Sequence, residues 1–255
     1  VNRLPHIQGR DIFEFGGWQI ILFEDDIEGG PDWRREFATL LPRLNKPDAV
    51  LKHDHRSQVG LVHLNGVKYV VKSFILQESW WWFQLTSARF PTLGEVACQN
   101  ARLLAANGLL TPQPVLLMQR TKNGLVNDCR LVYRYLEGRT ATNADAADII
   151  DFIRRMHAAN LIHRDPHPNN FIKTDKGLAA LDPLRIRSSR SRYLKAYDVM
   201  LLEHDIPSAS DIYNRGRLGF QFYLAQLGHN SVRVYRRSKL RLRKIFGLNR
   251  HSGLK

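Results

Sequence analysis

Apolar positions change their spacing near the middle of this chain. Up to about residue 137 they come in short runs and alternations broken by turn residues, and after Asn143 they recur every three and four positions. Trp18–Phe23 has the length and composition of a strand. Asp32–Leu41, after the Gly29-Gly30-Pro31 break, has the pattern of a short amphipathic helix. Val59–Leu64 and Val67–Ile75 flank Asn65-Gly66, a pair that takes the positive φ angles of a tight hairpin turn at little cost, so the two runs are expected to pair. Thr92 is placed to cap a helix running to about Ala106, with Asn107-Gly108 as its stop. Pro112 and Pro114 force an extended approach to a strand at Val115–Met118. Asn123-Gly124 turns, and Arg130–Leu136 forms another strand ending at Glu137-Gly138. Beyond it Ile149, Phe152, Ile153 and Met156 mark a helix ending near Asn160, then comes a short strand–turn–strand about Thr174–Gly177, and the remainder is mainly helical. A strand-rich half with one inserted helix, followed by a helical half, predicts an α+β fold of two lobes, 1–137 and 138–255.

Size and charge narrow this further. A chain of 255 residues with 44% hydrophobic content has enough apolar surface for a real core. Cys98 and Cys129 both lie in apolar segments and are expected as buried thiols rather than a disulfide. No apolar stretch approaches the roughly 20 residues that span a bilayer, and the N-terminus, which begins at Val1, has no signal-peptide pattern, so a cytoplasmic location is expected. The net charge of +14 is unevenly spread. No acidic residue follows Asp211, whereas eleven of the 38 Lys and Arg do, leaving 27 basic against 24 acidic residues upstream. Such a terminus implies a polyanionic partner.

The chemistry concentrates between Leu161 and Asp182. Asp165 is followed five residues later by Asn170, and a strand–turn–strand then delivers Asp182. A carboxylate, a side-chain amide and a second carboxylate at this spacing suit phosphoryl transfer from Mg-ATP. Asp165 would orient the attacking hydroxyl, and Asn170 with Asp182 would hold the metal. Lys72, on the second strand of the Asn65-Gly66 hairpin, can reach nucleotide phosphates. Glu95 is the candidate carboxylate to hold it, although Thr92-x-x-Glu95 is also a capping box. His163 reads as structural. His167 either shapes the loop or touches substrate, and Asp198 either braces the loop backbone or caps a helix over Asp198–Glu203.

These residues resemble the protein-kinase-like fold: a small antiparallel-sheet N-lobe with one key helix, and a mainly helical C-lobe. Asp165-Pro166-His167-Pro168-x-Asn170 is similar to the bacterial small-molecule and glycolipid branch, and most of all to lipopolysaccharide core heptose kinases of the heptose II type. Asn65-Gly66-x-Lys68-Tyr69-x-x-Lys72, Tyr135-Leu136-Glu137-Gly138 and Asp198 with Leu202-Glu203-His204 continue the likeness into the basic tail. The resemblance implies ATP and Mg2+ as cofactors, adenine bound by backbone near Leu136, Glu137 and Gly138, and a lipopolysaccharide core glycolipid as substrate at the inner face of the cytoplasmic membrane. The chain departs from kinase patterns in three places. Asp182 is followed by Pro183-Leu184 rather than Phe-Gly, the glycine-rich cover is reduced to Gly60, and Arg164 stands where this branch often has Gly.

Arg185, Arg187, Arg190 and Arg192 follow Asp182 and suit a phosphorylated substrate, with a solvated loop as the alternative. Trp80, Trp81, Trp82 and Phe83 form either a bilayer-interface site or a local hydrophobic cluster. Tyr235, Leu242, Ile245 and Phe246 share a helical face among Arg236, Arg237, Arg241, Arg243 and Lys244, the composition of a helix lying on an anionic membrane surface. No nucleic-acid-binding module is visible, so no specific nucleic acid is expected as a partner. The rival readings are a protein or soluble small-molecule kinase of the same fold, and a catalytically silent adaptor binding membrane or nucleic acid. Removal of residues 233–255 is expected to weaken co-sedimentation with anionic vesicles, most at raised salt. Unchanged sedimentation would exclude the tail as an anchor.

Overall fold

A computed structural model of the chain describes residues 7, 9–23, 30–54, 57–75, 90–123, 125–213 and 219–229. The aromatic run at 80–83 and the basic positions at 236–244 lie outside the described residues. Among the described residues, no helix is long and apolar enough to cross a membrane.

The chain forms two compact units: residues 1–141 with 169–186, and residues 142–168 with 187–255. This differs from the lobe boundary expected at 137/138. Residues 169–186, which carry Asn170 and Asp182, group with the strand-rich unit rather than with the helical one.

The first unit is built on a seven-stranded sheet. Its strands are β1 (Asp11–Phe15), β2 (Trp18–Leu22), β3 (Ala49–His53), β4 (Ser57–Leu64), β5 (Val67–Phe74), β6 (Pro114–Lys122) and β7 (Leu125–Arg134), in the order β1-β2-β6-β7-β5-β4-β3. Every neighbouring pair is antiparallel. β4 and β5 join through Asn65 (φ 50°) and Gly66 (φ 81°), the turn that their sequence predicts. β1 and β3 were not expected: Asp11–Phe15 has no buried residue and Ala49–His53 is exposed throughout, and each sets apolar residues side by side rather than alternating inward and outward.

Alternation along the strands serves two cores. Ile20, Leu22, Tyr69, Val71, Leu116, Met118 and Val132 face helix α1 (Trp33–Asn45), which contributes Trp33, Phe37, Leu40 and Leu44. Ile21, Phe74, Leu117, Leu131 and Tyr133 face helix α2 (Leu93–Ala106), which contributes Ala97 and Cys98. Coverage of both faces explains why β6 is buried from Pro114 through Gln119 and reads as a continuous apolar run. α1 begins at its Asp32 cap as expected but runs through Pro42 to Asn45, because Leu44 is needed in the core. Thr92 and Glu95 close the capping box of α2.

The same unit holds a second sheet in the order β11-β10-β8, formed by β8 (Arg139–Thr140), β10 (Phe171–Thr174) and β11 (Gly177–Ala180). The second unit contains α3 (Ala146–Ala158), α4 (Arg192–Glu203) and α5 (Ala209–Tyr213), with β9 (Leu161–Ile162) pairing β12 (Arg187–Ser188). α4 starts at its Ser191 cap, six residues before the helix expected at Asp198.

Cys98 and Cys129 are free, buried thiols of the first unit. Burial pushes Cys129 up to about 12 and holds Cys98 well above the ordinary thiol range. Because the folded value is raised, this stabilising contribution is complete below pH 9 and is lost as pH rises from about 9 toward 12. Both thiols are expected to resist a maleimide at pH 8 until the chain unfolds, and rapid labelling of native protein would contradict this burial. Cys129→Ala should flatten the fall in the urea midpoint above pH 9.

Candidate active site

Asn170 and Asp182 stand at the open end of the β10–β11 hairpin. Phe171 pairs with Ala180, and the Leu181 amide donates to the Asn170 carbonyl at 2.8 Å, so the two residues flank the last rung of the ladder. Three contacts within the first unit hold this hairpin. Leu110 bridges Ala179, Thr111 Oγ1 donates to the Ala180 carbonyl at 2.9 Å, and the Ala180 amide donates to the Leu110 carbonyl at 3.0 Å. Beyond the hairpin, the buried Asn100 side-chain amide on α2 donates to the carbonyls of Pro183 (2.8 Å) and Ile186 (3.0 Å). These anchors satisfy backbone acceptors that burial would otherwise leave costly. Sequence reasoning did not identify Asn100 or Thr111, since neither belongs to a motif. Their only signal is a polar residue at a position buried by its neighbours.

Lys72 on β5 reaches Asp182: its Nζ lies 2.9 Å from Oδ1, with the lysine side chain 14% and the carboxylate 40% exposed. Sequence reasoning gave Lys72 the carboxylate of Glu95 and did not foresee this pair. The Glu95 side chain is fully buried, and its Oε2 accepts from the Thr92 amide at 2.6 Å. An ion pair this exposed adds little to folding. It does place a cation beside a hard oxygen donor in one unit. Asp182 with the Asn170 side-chain oxygen is a donor set that suits Mg2+, which takes oxygen ligands and keeps several waters.

Leu136, Glu137 and Gly138 follow β7. Among the described residues no backbone hydrogen bond engages them, which leaves their amides and carbonyls available to a ligand. Lys68 Nζ holds the Glu137 carboxylate at 2.7 Å, and a side chain at position 138 would collide with the Lys173 carbonyl, 2.4 Å from where its Cβ would stand.

The loop carrying Asp165 belongs to the second unit and is held from beneath by Asp198. This carboxylate, 1% exposed, accepts from the amides of His163 (2.6 Å) and Arg164 (2.7 Å), and His157 Nε2 lies 3.2 Å from it. With Nε2 donating, His157 Nδ1 accepts from the Tyr213 hydroxyl at 2.8 Å. Asp198 is therefore a brace inside α4, not a helix cap. Arg164 takes φ 68°, a conformation that favours glycine. His163 is buried, and Asp165 is half-buried. His167 is exposed, with Nε2 3.4 Å from Asp205 Oδ1. Arg185, Arg187, Arg190 and Arg192 are all exposed.

No protein-family model matches the chain, and no curated protein matches it by sequence. Among solved structures, one described as WaaP in complex with acyl carrier protein matches with a TM-score of 0.50 at 17% identity, covering 81% of this chain and 87% of that one. The likeness shows the fold, a protein-kinase-like α+β arrangement. Asp198→Ala would leave two buried amides without their acceptor. It is expected to lower stability by about 2–4 kcal/mol in urea unfolding, and a loss below about 0.5 kcal/mol would show that the loop does not need this brace.

Proposed function

We propose that the chain is an ATP-dependent kinase that phosphorylates a heptose hydroxyl of the lipopolysaccharide inner core at the cytoplasmic membrane surface. The observation that carries the kinase reading is the 2.9 Å approach of Lys72 to Asp182, two residues separated by 110 positions and brought together on one unit. The solved neighbour described as WaaP in complex with acyl carrier protein supports the kinase-like fold, and the Asp165–Asn170 motif, by its resemblance, supports a heptose kinase of the heptose II type. Because that neighbour was solved with an acyl carrier protein, a small carrier protein joins the glycolipid and the anionic membrane surface as a candidate partner.

In this reading Asp182 and Asn170 would hold Mg2+, which when bound would neutralise phosphate charge. Lys72 holds nucleotide phosphates, and its ammonium keeps Asp182 in place beforehand. The adenine meets the open backbone at Leu136, Glu137 and Gly138, and Glu95 fixes the start of α2. Asp165 accepts the hydrogen bond of the acceptor hydroxyl and orients its oxygen for attack. Asp198 keeps the loop amides from moving, so that this carboxylate holds its position. Arg185, Arg187, Arg190 and Arg192, with His167, supply cationic and hydrogen-bonding contacts for an already phosphorylated glycolipid.

Asp165→Ala is expected to lower transfer by about 100- to 10,000-fold while leaving nucleotide affinity largely unchanged. A fully active variant would remove the role given to Asp165. Lipopolysaccharide lacking heptose should take up no phosphate from labelled ATP, and equal labelling of a peptide would favour a protein kinase instead.

A further inference from the structure

The second unit contains a cavity of about 470 Å³ away from any motif, formed by Arg154, Arg155 and His157 of α3, Arg192 and Lys195 of α4, and Tyr213 of α5. Four permanent cations converge on it, and among the described residues no carboxylate lines it.

Part of this charge has a structural explanation. Helix C-termini attract cations, and Lys195 Nζ donates to the His157 carbonyl (2.6 Å) and to Asn160 Oδ1 (3.0 Å) at the end of α3. Arg154 donates to the Ile212 carbonyl and lies over the Tyr213 ring, 5.6 Å from its centroid. Arg155 meets Asp151 at 3.1 Å on the exposed side of α3. Each of these contacts leaves donors over. Lys195 has three protons and two acceptors, and each guanidinium carries five N–H groups. Among the described residues Arg192, at the first position of α4, has no such contact, so the helix-end explanation does not reach it. That position also lies in the first turn of a twelve-residue helix, where negative charge is favoured, although the Ser191 hydroxyl already accepts from the Leu194 amide there at 3.3 Å. Burial holds the Lys195 ammonium below the usual lysine range, a cost that an anion in the cavity would offset.

We infer that this cavity binds a phosphate monoester, with Arg155 and Arg192 as the guanidinium groups that grip its oxygens and Lys195 as a third donor. Guanidinium pairs match phosphate oxygens two by two, and the volume leaves room for a sugar or glycerol bearing the phosphate. The cavity is formed by α3, α4 and α5 alone; it shares Arg192 with the proposed glycolipid surface but includes none of the residues given to nucleotide or metal.

The test is calorimetric titration of the full chain without nucleotide, at fixed ionic strength. Inorganic phosphate and glycerol 3-phosphate form one arm, and vesicles containing phosphatidic acid form the other. Uptake is expected in at least one arm, and the arm identifies a soluble or a lipid source. Arg155→Gln with Arg192→Gln should weaken it by about tenfold or more, since each removes a charge-assisted contact. The single Arg192→Gln, at an exposed side chain, should weaken it without loss of thermal stability. Lys72→Gln should leave it unchanged, so failure of the proposed nucleotide site would not affect the outcome. No uptake in either arm would overturn the inference. So would equal affinity in the Arg155/Arg192 variant, or binding abolished by Lys72→Gln.

Discussion

The ion pair between Lys72 and Asp182 holds only because a hairpin far along the chain is fixed against a sheet formed near its start. Lysine is long and flexible, and left in solvent it would hold no particular carboxylate. What makes the contact specific is the anchorage of its partner. Thr111 and Leu110 fix the β11 strand, and Asn100 fixes the segment beyond Asp182 by its carbonyls. All of these contacts end on main-chain groups, so the position of Asp182 is set by backbone geometry, while Leu184 packs against the core beside α2. The unusual residues after Asp182 are therefore compatible with an ordinary place for the carboxylate.

Asp198 performs the equivalent task in the second unit by a different device. A fully buried carboxylate is costly unless its lone pairs are used, and here two amides and an imidazole use them. The Tyr213 hydroxyl extends the network to α5, so the conformation of the loop carrying Asp165 is tied to the packing of three helices. This network also explains how Arg164 keeps a positive φ: its own amide is one of the two held by Asp198.

Much of this was legible from residue spacing. The Asn65-Gly66 hairpin, the Thr92 capping box and the α2 boundaries are local, and local rules describe them well. The α+β, kinase-like class followed from motif order and agrees with the solved fold. Other features were invisible for physical reasons. β1 and β3 form at the sheet edges with no fully buried side chain, and each sets apolar residues next to one another, so hydrophobic alternation could not mark them. Glu95 was the expected partner of Lys72 from its place on the following helix, and the approach of Lys72 to Asp182 is tertiary, so local spacing did not suggest it. Residues 169–186 are held in the first unit by hydrogen bonds that the Thr111 and Asn100 side chains donate to backbone carbonyls and that the Leu110 carbonyl accepts from the Ala180 amide, and sequence patterns carry no record of them.

That grouping makes the strand-rich unit discontinuous, and the interruption sets an order of events during synthesis. At 5–20 residues per second, the ribosome needs roughly two to nine seconds to pass from residue 141 to residue 186. Throughout that interval the nascent sheet can form while Asn100 and Thr111 remain hydrated, with their eventual acceptors not yet translated. The cationic half of the Lys72–Asp182 contact is thus made first and waits for its counterpart, and this unit acquires its final shape only after residues 142–168 of the other have emerged.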